Sequence, residues 1–317
     1  MLIRDRIYGS FTITEPVILE LLKSAPVRRL KGISQLGVPD KYHYSKGFSR
    51  YEHSIGVMLL LRRLGASLEE QIAGLLHDVS HTAFSHVVDW VVGERKTENF
   101  QDDRHLQVLT KSELAKILKK YGYNPRKIAD LHSFKLLDND IPNLCADRID
   151  YSLRCLSLKD LKRTSNIFKV DRDKIIIKDK KSALLFANSF LDCQIEQWGG
   201  FEGVCRYEIF STVLQRAIEL RIIKLEDFYG DEESILSKVE ASKDKIIRIG
   251  IKTLSNKSLS KLPLSDKKIT KKFRFVDPEY IENGRMVRVS ETFPRFVQKL
   301  ERAKKANEVG IQVVSWL

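Results

Sequence analysis

Between Gly74 and Asp89 the chain reads GLLHDVSHTAFSHVVD, and no other stretch restricts its folding as much. Leu75, Leu76, Phe84, Val87 and Val88 gain by leaving water. His77, Asp78, His81, His86 and Asp89 lie between them and are carried along. A lone histidine on an apolar face is usually a core residue whose hydrogen bonds are met. Five of the seven histidines gather here or nearby (His53, His77, His81, His86 and His105), while His43 and His132 stand apart. That clustering points to chemistry.

The apolar run Ile72–Leu76 reads as a helix ending at His77-Asp78. Adjacent residues on a helix point about 100° apart, so one cation near the helix end can receive both. His53, in SRYEHSIGV on the preceding expected helix, is a third candidate ligand, because short antiparallel helices can bring it alongside. Asp147, in NLCADRIDY on a much later helix, is a fourth. Two imidazoles and two carboxylates suit Mn, Fe, Co, Zn or Ni, and partly Mg. Four protein ligands leave positions on a six-coordinate ion for water and a substrate oxygen.

A length of 317 residues with 43% hydrophobic and 31% charged composition fits a soluble globular protein. The expected fold class is mainly α: a helical domain over 1–225, opened by a short strand or hairpin near Ile3–Ile13, then a smaller α+β region over 226–317. Helix signals run over Tyr51–Leu64, Leu68–His77, Ser85–Val92, Ser112–Lys120, Ile141–Leu156 and Ser182–Ile223, the last bending near Gly199-Gly200. KSLSKLPLSDKKITKK reads as a polar connector. No apolar run approaches the roughly 20 residues of a membrane span, and MLIRDRIYGSFTI lacks a secretion signal's apolar core. A cytoplasmic protein with no membrane association is expected. Four cysteines without a C-x-x-C pair read as reduced, mostly buried thiols. The net charge of +13 favours an anionic partner. It is diffuse, since 224–317 holds 20 Lys/Arg against 14 Asp/Glu.

The order His53, His77-Asp78, Asp147 resembles the HD superfamily of metal-dependent phosphohydrolases. More narrowly, ISQLG at 33–37, SRYEHSIGV at 49–57, HDVSHTAFSH at 77–86, DRIDY at 147–151 and the opening IRDRIYGSFTI are similar to its deoxynucleoside triphosphate triphosphohydrolase branch. The resemblance covers residues 3–155 and implies a helical HD-domain bundle. By it His53, His77, Asp78 and Asp147 hold one divalent metal ion (Mn, Fe, Mg, Ni, Co or Zn). Arg50 reaches phosphate oxygens, and His81 and His86 contact the phosphate nearest the sugar. Asp89 and His105 form an acid–base pair. Gln35 and Leu36 lie against the sugar, Arg148 touches phosphate and Tyr151 touches sugar. A homo-oligomer is implied as well.

Plainer roles stay open: Arg50 in a surface ion pair, His81 packing as the i+4 neighbour of His77, and Tyr151 as a buried aromatic. The chain also departs from the pattern. Cys155 stands where those enzymes carry an aspartate facing the sugar. Their tyrosine–histidine–lysine motif has no clear counterpart in CRYEIFSTVLQRAIEL, which offers Tyr207, Phe210 and Arg216 differently arranged. The expected reaction is hydrolysis of a deoxynucleoside triphosphate to deoxynucleoside and tripolyphosphate. The alternatives are an HD-type nucleotidase or phosphodiesterase, with extra histidines holding a second metal, or a basic nucleic-acid-binding protein with a vestigial site, suggested by the charge and by KKITKKFRF.

Overall fold

The computed structural model describes residues 1–93, 95, 97–156 and 166–317. It is mainly helical with small sheets, as expected. The opening segment forms an antiparallel hairpin of Leu2–Asp5 and Gly9–Thr12.

Three helices carry the motifs. Arg50–Arg63 begins at a capping box: the Ser49 hydroxyl accepts from the Glu52 amide, and the Glu52 carboxylate accepts from the Ser49 amide. That reciprocal pair satisfies two otherwise unpaired donors and fixes where the helix starts, hence which way Arg50 and His53 project. Leu68–Leu76 starts at Ser67, whose side chain accepts from the Glu70 amide, with Glu69 and Glu70 in the first turn. The third helix, Ala146–Cys155, is shorter than the expected 141–156, because residues 141–145 approach it through Pro142 and an extended Cys145. These helices bury Val57, Met58, Leu61, Leu75, Leu76, Ile149 and Leu153 against one another.

Two differences from the sequence reading matter for the site. Residues 102–111, left without an element, form a helix that carries His105. The supposed connector contains the strand Leu264–Ile269, antiparallel to Ile311–Val314. The long helical stretch does break near Gly199-Gly200, through a widened turn at Gln194–Trp198 between Lys180–Cys193 and Phe201–Glu219.

The apolar core has two clusters, and both cross residue 225. One joins Ile3–Leu191 residues to Val276, Tyr280, Val289, Phe296 and Leu300. The other joins Val38, Phe84, Val87 and Trp90 to the Phe201–Glu219 helix and to Ile235, Ile247 and Val313. A four-stranded sheet also spans the boundary, with Lys174–Ile177 parallel to Glu279–Glu282. The C-terminal region is packed into the first 225 residues.

Candidate metal centre and phosphate pocket

His53 lies at the fourth position of its helix and His77 caps the next one, so the two rings meet between antiparallel neighbours. His53, His77 and Asp147 each bring one ligand atom within 4.8 Å of the others. The two Nε2 atoms are 3.2 Å apart, and Asp147 Oδ1 lies 2.9 Å from His53 Nε2 and 3.5 Å from His77 Nε2.

The remaining ring nitrogens show why the cluster fits a cation. His77 Nδ1 donates to the Gly74 carbonyl at 2.8 Å, and His53 Nδ1 to Asp150 Oδ2 at 2.7 Å. Both partners only accept, so both protons sit on Nδ1 and each neutral ring turns an Nε2 lone pair inward. Two lone pairs and a carboxylate oxygen then converge with no donor among them. A divalent cation satisfies all three, and partners on the outer nitrogens hold such ligands in place. Without one, a proton must do so. Burial pulls the His53 pKa down, but hydrogen bonds to Asp147 and Asp150 outweigh it and raise it to about 9.

Asp78, the fourth expected ligand, borders this group. Its Oδ1 is 3.5 Å from His77 Nε2 and 3.3 Å from His81 Nε2, while Oδ2 accepts from Arg50 Nη1 at 2.7 Å. Arg50 is therefore buried, not a surface ion pair, and its Nε donates to Ser85 Oγ at 2.7 Å.

The turn after His81 is backbone-strained. Phe84 and Ser85, neither a glycine, have φ of 65° and 48°. It is pinned on several sides: Glu232 Oε1 accepts from the Phe84 amide, Ser85 Oγ donates to the Ser34 carbonyl, and the Ala83 amide donates to the Phe228 carbonyl. The strain turns the chain so that His81 and His86 stand ring edge to ring face, with centroids 5.0 Å apart.

In the structure Asp89 is paired with His86. Asp89 Oδ2 accepts from His86 Nδ1 at 3.2 Å, and Oδ1 from the Phe100 amide. His105 contacts Ser80 Oγ at 3.1 Å, and its buried Nε2 has no hydrogen-bond partner among the described residues. Residues 102–111 form a helix, not a loop, and from it His105 contacts Ser80. Burial lowers its pKa to about 4.

Above the metal group opens a cavity of about 310 Å³. Gln35, Leu36, Arg50, His81, His86, Arg148 and Tyr151 line it, so most of the expected substrate residues share one space. Arg148 is held by the Asn139 and Asn143 carbonyls, at 2.6 Å each. Tyr151 packs edge-on to Trp198, and Gln35 Oε1 is buried without a partner.

Sequence reasoning missed Asp150, Arg154, Glu98 and the Lys271–Arg274 segment. Asp150 follows Asp147 by one helical turn, a spacing that places both on one face and could have revealed it. Arg154 locks Asp150 from Nε at 2.7 Å and reaches Asp5 at 2.8 Å. Gly56 makes room for this pair, since a Cβ there would lie 2.1 Å from Asp150 Oδ1. Glu98, Lys271, Lys272 and Arg274 all line the cavity. The three cations lie in the basic stretch KKITKKFRF, but nothing local in the sequence directs them to this cavity.

Comparison with known proteins agrees with this geometry. The HD domain family matches residues 50–155. The chain is 34% identical to the uncharacterized protein YdhJ of Bacillus subtilis over 99% of this chain and 98% of that one. It is 33% identical to the metal-dependent phosphohydrolase cns2 of Cordyceps militaris over 69% of this chain and 67% of that one. The bovine deoxynucleoside triphosphate triphosphohydrolase SAMHD1 matches less far, 36% identical over 27% of this chain and 17% of its own. A crystal structure of a hypothetical protein from Aquifex aeolicus shares the fold, with a TM-score of 0.69 at 18% identity, covering 96% of this chain and 99% of that one. With motifs, geometry and the likeness to the phosphohydrolase cns2 in agreement, the chain belongs to the HD-domain metal-dependent phosphohydrolases.

Proposed function

We propose that this phosphohydrolase cleaves deoxynucleoside triphosphates at the α-phosphorus, releasing deoxynucleoside and tripolyphosphate. The observation that carries the reading is one cavity holding three kinds of wall. His77 and Asp147 of the metal group line it with the phosphate-type donors Arg50, His81 and His86, and the same space is lined by Tyr44, Phe48, Tyr151 and Trp198. Donors suit a phosphate and aromatic faces suit a base or sugar. The partial likeness to SAMHD1 supports the substrate.

A divalent cation held by His53, His77 and Asp147, with Asp78 adjoining, supplies a Lewis acid for the phosphoryl group and for water. The chain's own groups do the rest. Arg50, fixed by Asp78 and Ser85, presents its remaining guanidinium nitrogen to phosphate oxygens. His81, whose pKa burial pushes well below that of free histidine, stays neutral and acts through hydrogen bonding. Asp89 fixes the orientation of His86, leaving Nε2 to pass a proton to the leaving 5′-oxygen. That role, expected of His105, is assigned here to His86.

Incubation with each deoxynucleoside triphosphate and a divalent metal series, followed by ion-exchange separation, tests the reading. Tripolyphosphate is the expected product. Orthophosphate or pyrophosphate would overturn it and favour an HD-type nucleotidase or phosphodiesterase. That second reading has its own support in Cys155, which puts a thiol in the cavity lining in place of a carboxylate.

A further inference from the structure

The segment Lys271–Arg274 lies outside the HD stretch, yet Lys271, Lys272 and Arg274 all line its cavity. The backbone there is anchored on both flanks. The Lys271 carbonyl accepts from Asn307 Nδ2 at 2.9 Å, and the Arg274 amide donates to Gln194 Oε1 at 3.1 Å. Arg274 Nη2 reaches Glu98 Oε2 at 2.6 Å. Lys272 Nζ donates to the Thr97 carbonyl at 3.1 Å.

Lys271 is different. Its ammonium rests on the face of Tyr207, 3.4 Å from the ring centroid, and among the described residues it has no carboxylate partner. Burial of a cation without a counter-ion is unfavourable, and here burial lowers the lysine pKa to about 8. A cation–π contact offsets only part of that cost. Glu98 acts on Lys271 only through space, and Arg274 opposes that effect. One of its oxygens is committed to Arg274, and the other, buried, has no hydrogen-bond partner among the described residues. Two cations face one carboxylate, so the cluster carries a local positive excess, and it lines the same cavity as His86.

We propose that Lys271 and Arg274 form an outer anion subsite, which takes the phosphate oxygens of the substrate beyond the scissile phosphorus. Glu98 is its positioning residue, holding the guanidinium in the cavity wall. The C-terminal region then selects for a polyphosphate chain, while the HD stretch supplies the reaction centre. This rests on the polyphosphorylated substrate proposed above, and it accounts for the missing tyrosine–histidine–lysine motif: the cations come from another part of the chain.

Calorimetric titration of the full chain with inorganic tripolyphosphate and with orthophosphate, in excess magnesium, tests it independently of turnover. Wild type is expected to bind tripolyphosphate at least about tenfold tighter than orthophosphate. Lys271→Gln and Arg274→Gln should each remove about tenfold of tripolyphosphate affinity, the loss typical of one charge-assisted contact. Orthophosphate affinity should stay within about twofold. Arg274→Gln leaves Glu98 unpaired and can lower stability, whereas Lys271→Gln breaks no ion pair, so it decides the matter if the other unfolds. Tripolyphosphate bound no tighter than orthophosphate, or an affinity ratio unchanged in Lys271→Gln, overturns the subsite. If wild type keeps the ratio but releases no tripolyphosphate from any deoxynucleotide, the subsite stands and the proposed reaction falls.

Discussion

At the residue scale the metal group depends on what stands behind it. His53 presents Nε2 because Asp150 takes its other proton, and Asp150 stays put because Arg154 grips it. Gly56 sits where any side chain would strike both, 2.0 Å from Arg154 Nη2. Gly56→Ala should therefore weaken metal binding by roughly 10–100-fold, the usual cost of disturbing groups behind a ligand. Metal titration followed by melting temperature measures this, and unchanged affinity would refute the arrangement. In wild type a saturating metal, at about a hundred times its Kd, should add roughly 2.7 kcal/mol of stability. His77→Ala should abolish that gain. Asp89→Asn offers a sharper test of the reassigned pair. It should cut kcat by roughly 10²–10⁴ while the melting temperature moves little; an unaffected kcat would return the role to another residue.

At the element scale the strained 81–86 turn and the 33–36 loop are both tied to the Glu232–Glu240 helix. Glu232 Oε1 accepts from the Ser34 amide at 2.8 Å and from the Phe84 amide at 3.1 Å. Burial raises this carboxyl from 4.5 to about 7, although those two amides pull the other way. A raised acid keeps its proton in the folded state while the unfolded chain releases it. Stability is therefore greatest below about pH 4.5, falls as the pH rises to about 7, and is flat in this contribution above that. The loss is on the order of 3 kcal/mol. Chemical denaturation of wild type and Glu232→Gln across pH 4.5–8 should show the decline only in wild type. Parallel curves would mean that Glu232 does not titrate as described.

At the scale of the whole molecule, the C-terminal region completes both the core and the cavity. Val276, Tyr280 and Leu300 belong to one apolar cluster with the first helices, and Val313 and Ile247 to the other. A chain ending at residue 225 would expose Val213, Leu214 and their neighbours and lose part of the cavity wall. It should lack a cooperative melting transition by circular dichroism. A sharp transition in that fragment would show that the HD part folds alone.

The sequence alone determined the helices of residues 50–76 and the identity of the His53, His77 and Asp147 cluster. Capping residues, helical periodicity and adjacent motif residues act over a few positions, so they are readable locally. Through the resemblance it also gave Arg50, His81 and His86 as phosphate contacts, and all three line the cavity. It paired Asp89 with His105, whereas in the structure Asp89 contacts His86 and His105 contacts Ser80 from the helix at 102–111. It read KKITKKFRF as a basic stretch that suggested nucleic-acid binding. Only packing turns Lys271 and Arg274 toward the cavity, by anchoring the chain to Asn307 and Gln194. Charge in a sequence has a sign but no direction. The tertiary structure decided direction, through contacts between residues far apart in the chain, and with it which cations can reach a substrate.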